Sequence, residues 1–112
     1  MTGVQTCALP ISEVSFDDLP LIPEAVQWAQ EGVATGASER NWKGYGHDVD
    51  LTPGFPEWKR KLITDPQTSG GLLVACAPEA VNDVIAAFAG EDGSDARMIG
   101  RLKAGPAKLA VR

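Results

Sequence analysis

Apolar and polar positions alternate along this chain with two different periods, and reading them in order predicts its elements. Val14 and Phe16 alternate with Glu13, Ser15 and Asp17, the period-two pattern of a half-buried strand, which Asp17-Asp18 closes. Pro23 suits the first turn of a helix; Ala25, Val26 and Ala29 fall on one face, Trp28 flanks that face, and Gly32 ends it. The glycine-rich stretch 32–54 is irregular, with a short helix over 38–43 capped by Ser38. Pro53 and Pro56 bracket the start of another helix, from Pro56 or Glu57 to Ile63. Its basic run Lys59-Arg60-Lys61 reads as a solvated face, with Trp58 and Leu62 turned inward. Leu72 to Cys76 is five apolar residues in a row, too short for a helix, and predicts a strand buried on both faces. After Pro78, the positions Val81, Val84, Ile85 and Phe88 make the clearest helical stripe in the chain, and Gly90 stops it. Glu91 to Asp95 is an acidic turn. Residues 96–103 and 107–111 read as two strands of a hairpin joined by Ala104-Gly105-Pro106. Together these elements predict an α+β fold, a mixed and mostly antiparallel sheet covered by helices.

The stretch between the third helix and the apolar run carries the most local information. Pro66 pushes Asp65 towards an extended conformation, so the helix stops there. Thr68 and Ser69 offer hydroxyls, and Gly70-Gly71 permits positive backbone dihedrals or the close approach of another chain or ligand. A second cluster of chemically capable side chains lies in the glycine-rich stretch: Arg40, Asn41, Tyr45 and His47. It reads either as a functional group or as a surface loop held by hydrogen bonds.

Composition narrows the function classes. A chain of 112 residues, 44% hydrophobic, makes one small domain with a modest core. Its net charge of -5 and dispersed basic residues speak against nucleic acid or an anionic membrane as a partner. No apolar run approaches the roughly 20 residues of a membrane span. Cys7 and Cys76 are too few for a disulfide framework, and one histidine leaves no Cys/His metal site. Cys76 reads as a small apolar residue of a buried strand. Residues 1–11 lack the basic and apolar regions of a signal peptide. They resemble translated sequencing adapter, a non-native leader set aside from fold reasoning, with Cys7 carrying no function.

The string Asp65-Pro66-Gln67-Thr68-Ser69-Gly70-Gly71-Leu72-Leu73 resembles a signature of the selenophosphate synthetases (selenide, water dikinases). Leu19-Pro20-Leu21-Ile22-Pro23, Ala37-Ser38-Glu39-Arg40-Asn41 followed by Tyr45-Gly46-His47, and Ile99-Gly100-Arg101-Leu102 resemble the same family in its order. The resemblance covers roughly residues 13–112. It implies that 12–112 is a truncated carboxy-terminal domain, similar to that of the aminoimidazole ribonucleotide synthetase superfamily, without the amino-terminal ATP-binding domain. It further implies a cytoplasmic enzyme, a homodimer at full length, that makes selenophosphate, AMP and orthophosphate from selenide and ATP with Mg2+. The family's nucleophile, a cysteine or selenocysteine, its neighbouring lysine and its metal-binding aspartates belong to the missing part. No catalytic residue and no metal ligand is therefore assigned here, and the chain is expected to be inactive alone.

The residues expected near substrate are Asp65, Thr68, Ser69, Gly70, Gly71, Arg40 and Asn41. For the loop two readings stand. Either its hydroxyls and glycine amides face an interdomain cleft and steady the phosphate end of the nucleotide, or Asp65 caps local amides while the glycines admit a neighbouring strand. Two other functions compete: a stand-alone protein-binding module, and a superfamily relative with another substrate.

Overall fold

The computed structural model describes residues 10–68, 70–92 and 96–112. Among them the chain forms strand β1 (Pro10–Val14), helices α1 (Pro23–Gln30) and α2 (Gly36–Tyr45), strand β2 (Val49–Leu51), helices α3 (Glu57–Ile63) and α4 (Val81–Asp92), and strands β3 (Gly100–Ala104) and β4 (Lys108–Val111). Short 3-10 turns at Phe16–Asp18, Gly46–Asp48 and Pro78–Ala80 link them. This is an α+β fold on a mixed sheet, as the pattern predicts. Pro10 and Ile11, which fall in the stretch set aside above, open β1.

The sheet order is β2-β4-β1-β3. β1 runs antiparallel to β3, with Val14 opposite Gly100, and parallel to β4, with Val14 opposite Val111. β2 runs parallel to β4. Two of these three ladders are thus parallel, where a mostly antiparallel sheet was expected. The expected hairpin is also absent: β3 and β4 are consecutive and oppositely directed, but β1 lies between them. The link between them need only cross two strand spacings, about 10 Å, which the three residues 105–107 can span. A turn signal reports local bending, whereas β1 offers two ladder edges and satisfies both neighbours. Arg112 continues the pairing, donating its amide to the Val14 carbonyl and accepting from the Phe16 amide, both at 2.9 Å.

Among the described residues, Ala110 and Val111 on β4, Phe16 just after β1 and Ala29 on α1 are the buried apolar ones. Phe16 joins sheet to helix: its ring stands edge-on to Phe55 and to Trp58 of α3, each at 5.9 Å. The Lys59 ammonium sits 4.7 Å from the Phe16 ring centre. Arg60 is more enclosed still, its side chain 12% exposed, its guanidinium 5.1 Å from the Trp42 ring and paired with Glu39. The basic run is therefore not the solvated face expected of it. Long basic side chains lay their stems on apolar surface, and aromatic faces attract the cations they carry.

Further expectations fail, among them that 32–54 is irregular outside one short helix, since Val49–Leu51 is a strand. Helix α2 begins at Gly36 with Thr35 as its N-cap, and Thr35 accepts a hydrogen bond from the Ser38 amide at 3.3 Å. Ser38 is inside the helix, not its cap. The larger failure is the run Leu72–Cys76, which forms no strand among the described residues; Leu72 is 82% exposed and Leu73 77%. Cys76 is exposed too. An apolar run reports a demand for burial, and no ladder among the described residues meets it. The stripe of α4 fares partly better, with Val81, Val84, Ile85 and Phe88 half-buried, but Gly90 does not stop the helix, which runs through Glu91 to Asp92, and the rest of the expected acidic turn, 93–95, lies outside the described residues.

Candidate functional site

The loop that follows α3 is anchored from below by α2. The last carbonyls of any helix lack intrahelical donors, and here side chains of the neighbouring helix supply them. Ser38, buried on α2, lies 2.7 Å from the Lys61 carbonyl and bonds the hydroxyl of buried Thr64. Thr64 in turn reaches the carbonyls of Arg60, at 2.9 Å, and Lys61, at 3.2 Å. Each hydroxyl has one proton, so the pair shares two donors among these acceptors. Asn41, one helical turn beyond Ser38, donates its amide to the Thr64 carbonyl at 2.8 Å.

Asp65 is held from two sides. Its carboxylate accepts the Thr35 hydroxyl at 3.3 Å and the Gln67 side-chain amide at 3.2 Å. These donors are side chains; the local backbone amides suggested by the sequence do not appear among its described partners. Beyond it Thr68, Gly70 and Gly71 are exposed, and Ser69 lies outside the described residues. Neither Gly70 nor Gly71 uses a positive φ, and a Cβ on Gly71 would meet open space.

Of the expected residues, then, the structure brings Asn41 and Asp65 together around Thr64. Arg40 is exposed, its Nη1 lying by Gly36, and among the described residues no hydrogen bond or ion pair joins it to the loop. Tyr45 is exposed and His47 pairs with its neighbour Asp48 at 3.3 Å, both away from the loop. Sequence reading missed Thr35, Ser38 and Thr64 as the frame of this site. Three small hydroxyl residues near a helix start and a helix end were the available signal.

Among the described residues no three His, Cys, Asp or Glu side chains converge as metal ligands. Asp65 already has two hydrogen-bond donors, the Thr35 hydroxyl and the Gln67 side-chain amide. Two open concavities lie elsewhere. One of about 300 Å³ is bordered by Glu13, Asp18, Arg101 and Arg112; another of about 560 Å³ by Tyr45, Val49 and Leu109. Glu13, on the border of the first, pairs with Arg112, also on that border, at 3.8 Å and with Lys103 at 2.8 Å. Among the described residues no helix is long and apolar enough to cross a membrane.

No family model matches the chain. Individual proteins do. It is 49% identical over 100 residues to the selenide, water dikinase of Burkholderia orbicola and 45% identical over 100 residues to that of Paraburkholderia xenovorans, in each case 89% of this chain. It is 44% identical over 93 residues, 83% of this chain, to the selenide, water dikinase of Pseudomonas straminea. The chain spans only about 28% of the length of the first two and 26% of the third. Over nearly nine-tenths of its length the chain is thus similar to one segment of the selenide, water dikinases, the family that its run Asp65–Leu73 resembles.

Proposed function

We propose that residues 12–112 are a portion of the carboxy-terminal domain of an ATP-dependent selenide phosphotransferase, and that this portion is inactive alone. The whole enzyme makes selenophosphate from selenide and ATP, releasing AMP and orthophosphate with Mg2+, in the cytoplasm. The observation that carries the reading is 49% identity over 100 consecutive residues with a protein named selenide, water dikinase. Inactivity of the portion follows from the chemistry. Phosphoryl transfer depends on positioning and on cations that neutralise phosphate charge. Around Asp65 this chain offers hydroxyls, amides and one carboxylate, a frame suited to holding a loop in place. The amino-terminal domain is the partner that supplies nucleophile and metal ligands.

Two measurements test this. The Burkholderia orbicola enzyme, with its matched segment replaced by residues 12–112 of this chain, is expected to form AMP from ATP in a selenide-dependent reaction. The 112-residue chain is expected to form none. A chimera that folds and lacks activity refutes the family reading, and AMP formation by the short chain refutes its inactivity.

A further inference from the structure

We infer that Thr35, Ser38 and Asn41 are positioning residues. They fix the base of the loop after α3 so that its tip, Thr68 with Gly70–Gly71, meets the phosphate end of the nucleotide in the whole enzyme. The inference rests on the enzymatic reading above and adds to it which residues of this chain serve turnover. The three stand three positions apart, from the N-cap of α2 into its second turn, and so share one side of it. Each holds a different group at the end of α3. Asn41 donates to the Thr64 carbonyl at 2.8 Å, while the amide of the same peptide group, that of Asp65, donates to the Leu62 carbonyl at 3.3 Å. That peptide plane is thus held on both sides. Ser38 bonds the Thr64 hydroxyl. The Thr35 hydroxyl gives its one proton to the Asp65 carboxylate at 3.3 Å, and its oxygen accepts the Ser38 amide, also at 3.3 Å. The direction in which the chain leaves α3 is therefore set by α2 at three points.

The tip is built differently, and the fold does not account for its glycines. Gly32, Gly54 and Gly105 have positive φ, and a Cβ at Gly100 would strike backbone. Gly70 and Gly71 have neither reason: a Cβ at Gly71 would meet open space, and one at Gly70 would make an ordinary 3.5 Å contact with the Gln67 Cβ. Glycine costs conformational entropy, so a pair without a backbone duty marks a place where another group comes close. The Thr68 hydroxyl and the two glycine amides are donors, suited to phosphate oxygens on which charge develops during transfer. An exposed tip takes its aim from its base, and a misplacement of about 1 Å in such a group costs about a hundredfold in rate.

Thr35 separates this role from stability. Aspartate caps a helix as well as threonine does, so Thr35→Asp keeps α2 capped while setting a second carboxylate against Asp65. Thr35→Ser keeps both hydrogen bonds. In the Burkholderia orbicola chimera described above, Thr35→Asp is expected to lower kcat for selenide-dependent AMP formation about tenfold or more, with KM for ATP changed less than about threefold and the thermal midpoint kept. Asn41→Asp, whose carboxylate cannot donate to the Thr64 carbonyl, is expected to share that loss, and Thr35→Ser to restore turnover. In the 112-residue chain, Thr35→Asp is expected to speed amide exchange at Asp65 and Gln67 about fivefold or more while α2 keeps its protection. Full kcat in Thr35→Asp, an effect confined to KM, equal losses in Thr35→Ser and Thr35→Asp, or a loss no larger than the loss of folded protein would each overturn the inference and leave the family reading intact. A folded chimera without activity would overturn both.

Discussion

Ser38 and Thr64 share a buried hydroxyl–hydroxyl hydrogen bond across 26 positions of sequence, and through it α2 holds the end of α3. Both residues are almost fully enclosed, at 1% and 2% exposure. Replacing either one strands the other beside carbonyls that lose a donor. Ser38→Ala and Thr64→Val are each expected to cost about 1–3 kcal/mol in urea unfolding, the penalty of an unsatisfied buried group. Because the second substitution removes a hydroxyl the first has already stranded, the double variant should cost less than the sum by about 0.5 kcal/mol or more. Strict additivity would falsify the shared network. Faster amide exchange at Asp65 and Gln67 in both single variants is the accompanying sign that the loop has lost its anchor.

Two carboxylates are held below their ordinary range by basic partners. The hydrogen bond from Arg60 holds the Glu39 carboxyl below its ordinary value of 4.5. The hydrogen bond from Lys103, aided by the charges of Lys103, Arg112 and Arg101, does the same for Glu13, against a smaller opposing effect of burial. A carboxyl depressed in the folded state binds protons less readily there than in the unfolded chain. Its contribution is therefore complete above 4.5 and is lost as pH falls through the folded-state value. The thermal midpoint should be flat near neutrality and fall below about pH 4.5. Glu13→Gln combined with Glu39→Gln should lower the neutral midpoint slightly and flatten the acid decline. An acid slope unchanged in that double variant would assign the decline to other groups. Both pairs are partly exposed and moderate in strength, so the slope is the readout, not the absolute midpoint.

How much of this was legible in the sequence depends on whether a residue's role is local. Pro23 and Gly32 mark the bounds of α1 because φ restriction and φ tolerance are properties of single residues; Gly32 sits at φ 94°. Trp58 was placed inward by helical period alone. Non-local roles were hidden. Nothing in Lys59-Arg60-Lys61 says that Phe16 and Trp42 will receive two of its cations, because those rings arrive from other elements. Ser38 looks like a cap until Thr35, three residues earlier, takes that position and leaves the serine hydroxyl for α3. β1 separates β3 from β4 because a strand from the start of the chain competes with a hairpin, and such competition has no local trace. The site showed the same division. Asp65 and Asn41 were named from the motif, while Thr64, which joins them, was passed over as the residue before it. Leu72–Cys76 is the instructive case, since its five apolar side chains state a need for burial that no ladder among the described residues meets.

Gly100 gives that lesson a measurable form. It belongs to the string Ile99-Gly100-Arg101-Leu102, where sequence offered a resemblance and no physical reason for glycine. The structure supplies one: a Cβ at Gly100 would lie 1.8 Å from the Glu13 carbonyl oxygen and 3.0 Å from the Val14 Cα. Both are backbone atoms of the central strand, so neither can rotate away. Gly100→Ala must open the β1·β3 ladder at its first pair, and overpacking of this kind costs about 1–3 kcal/mol or more. Gly71→Ala is the control, because there the added methyl meets open space and should change stability by less than about 0.5 kcal/mol. Amide exchange separates the two effects further, with protection lost along Gly100–Ala104 and at Ser15, whose amide donates to the Ile99 carbonyl at 2.8 Å, and kept in α2 and α3. If Gly71→Ala proves the more damaging of the two, the loop glycines are confined by a neighbour that covers them in solution. If Gly100→Ala is silent, β3 does not lie against β1 in the register described, and the sheet order must be redrawn.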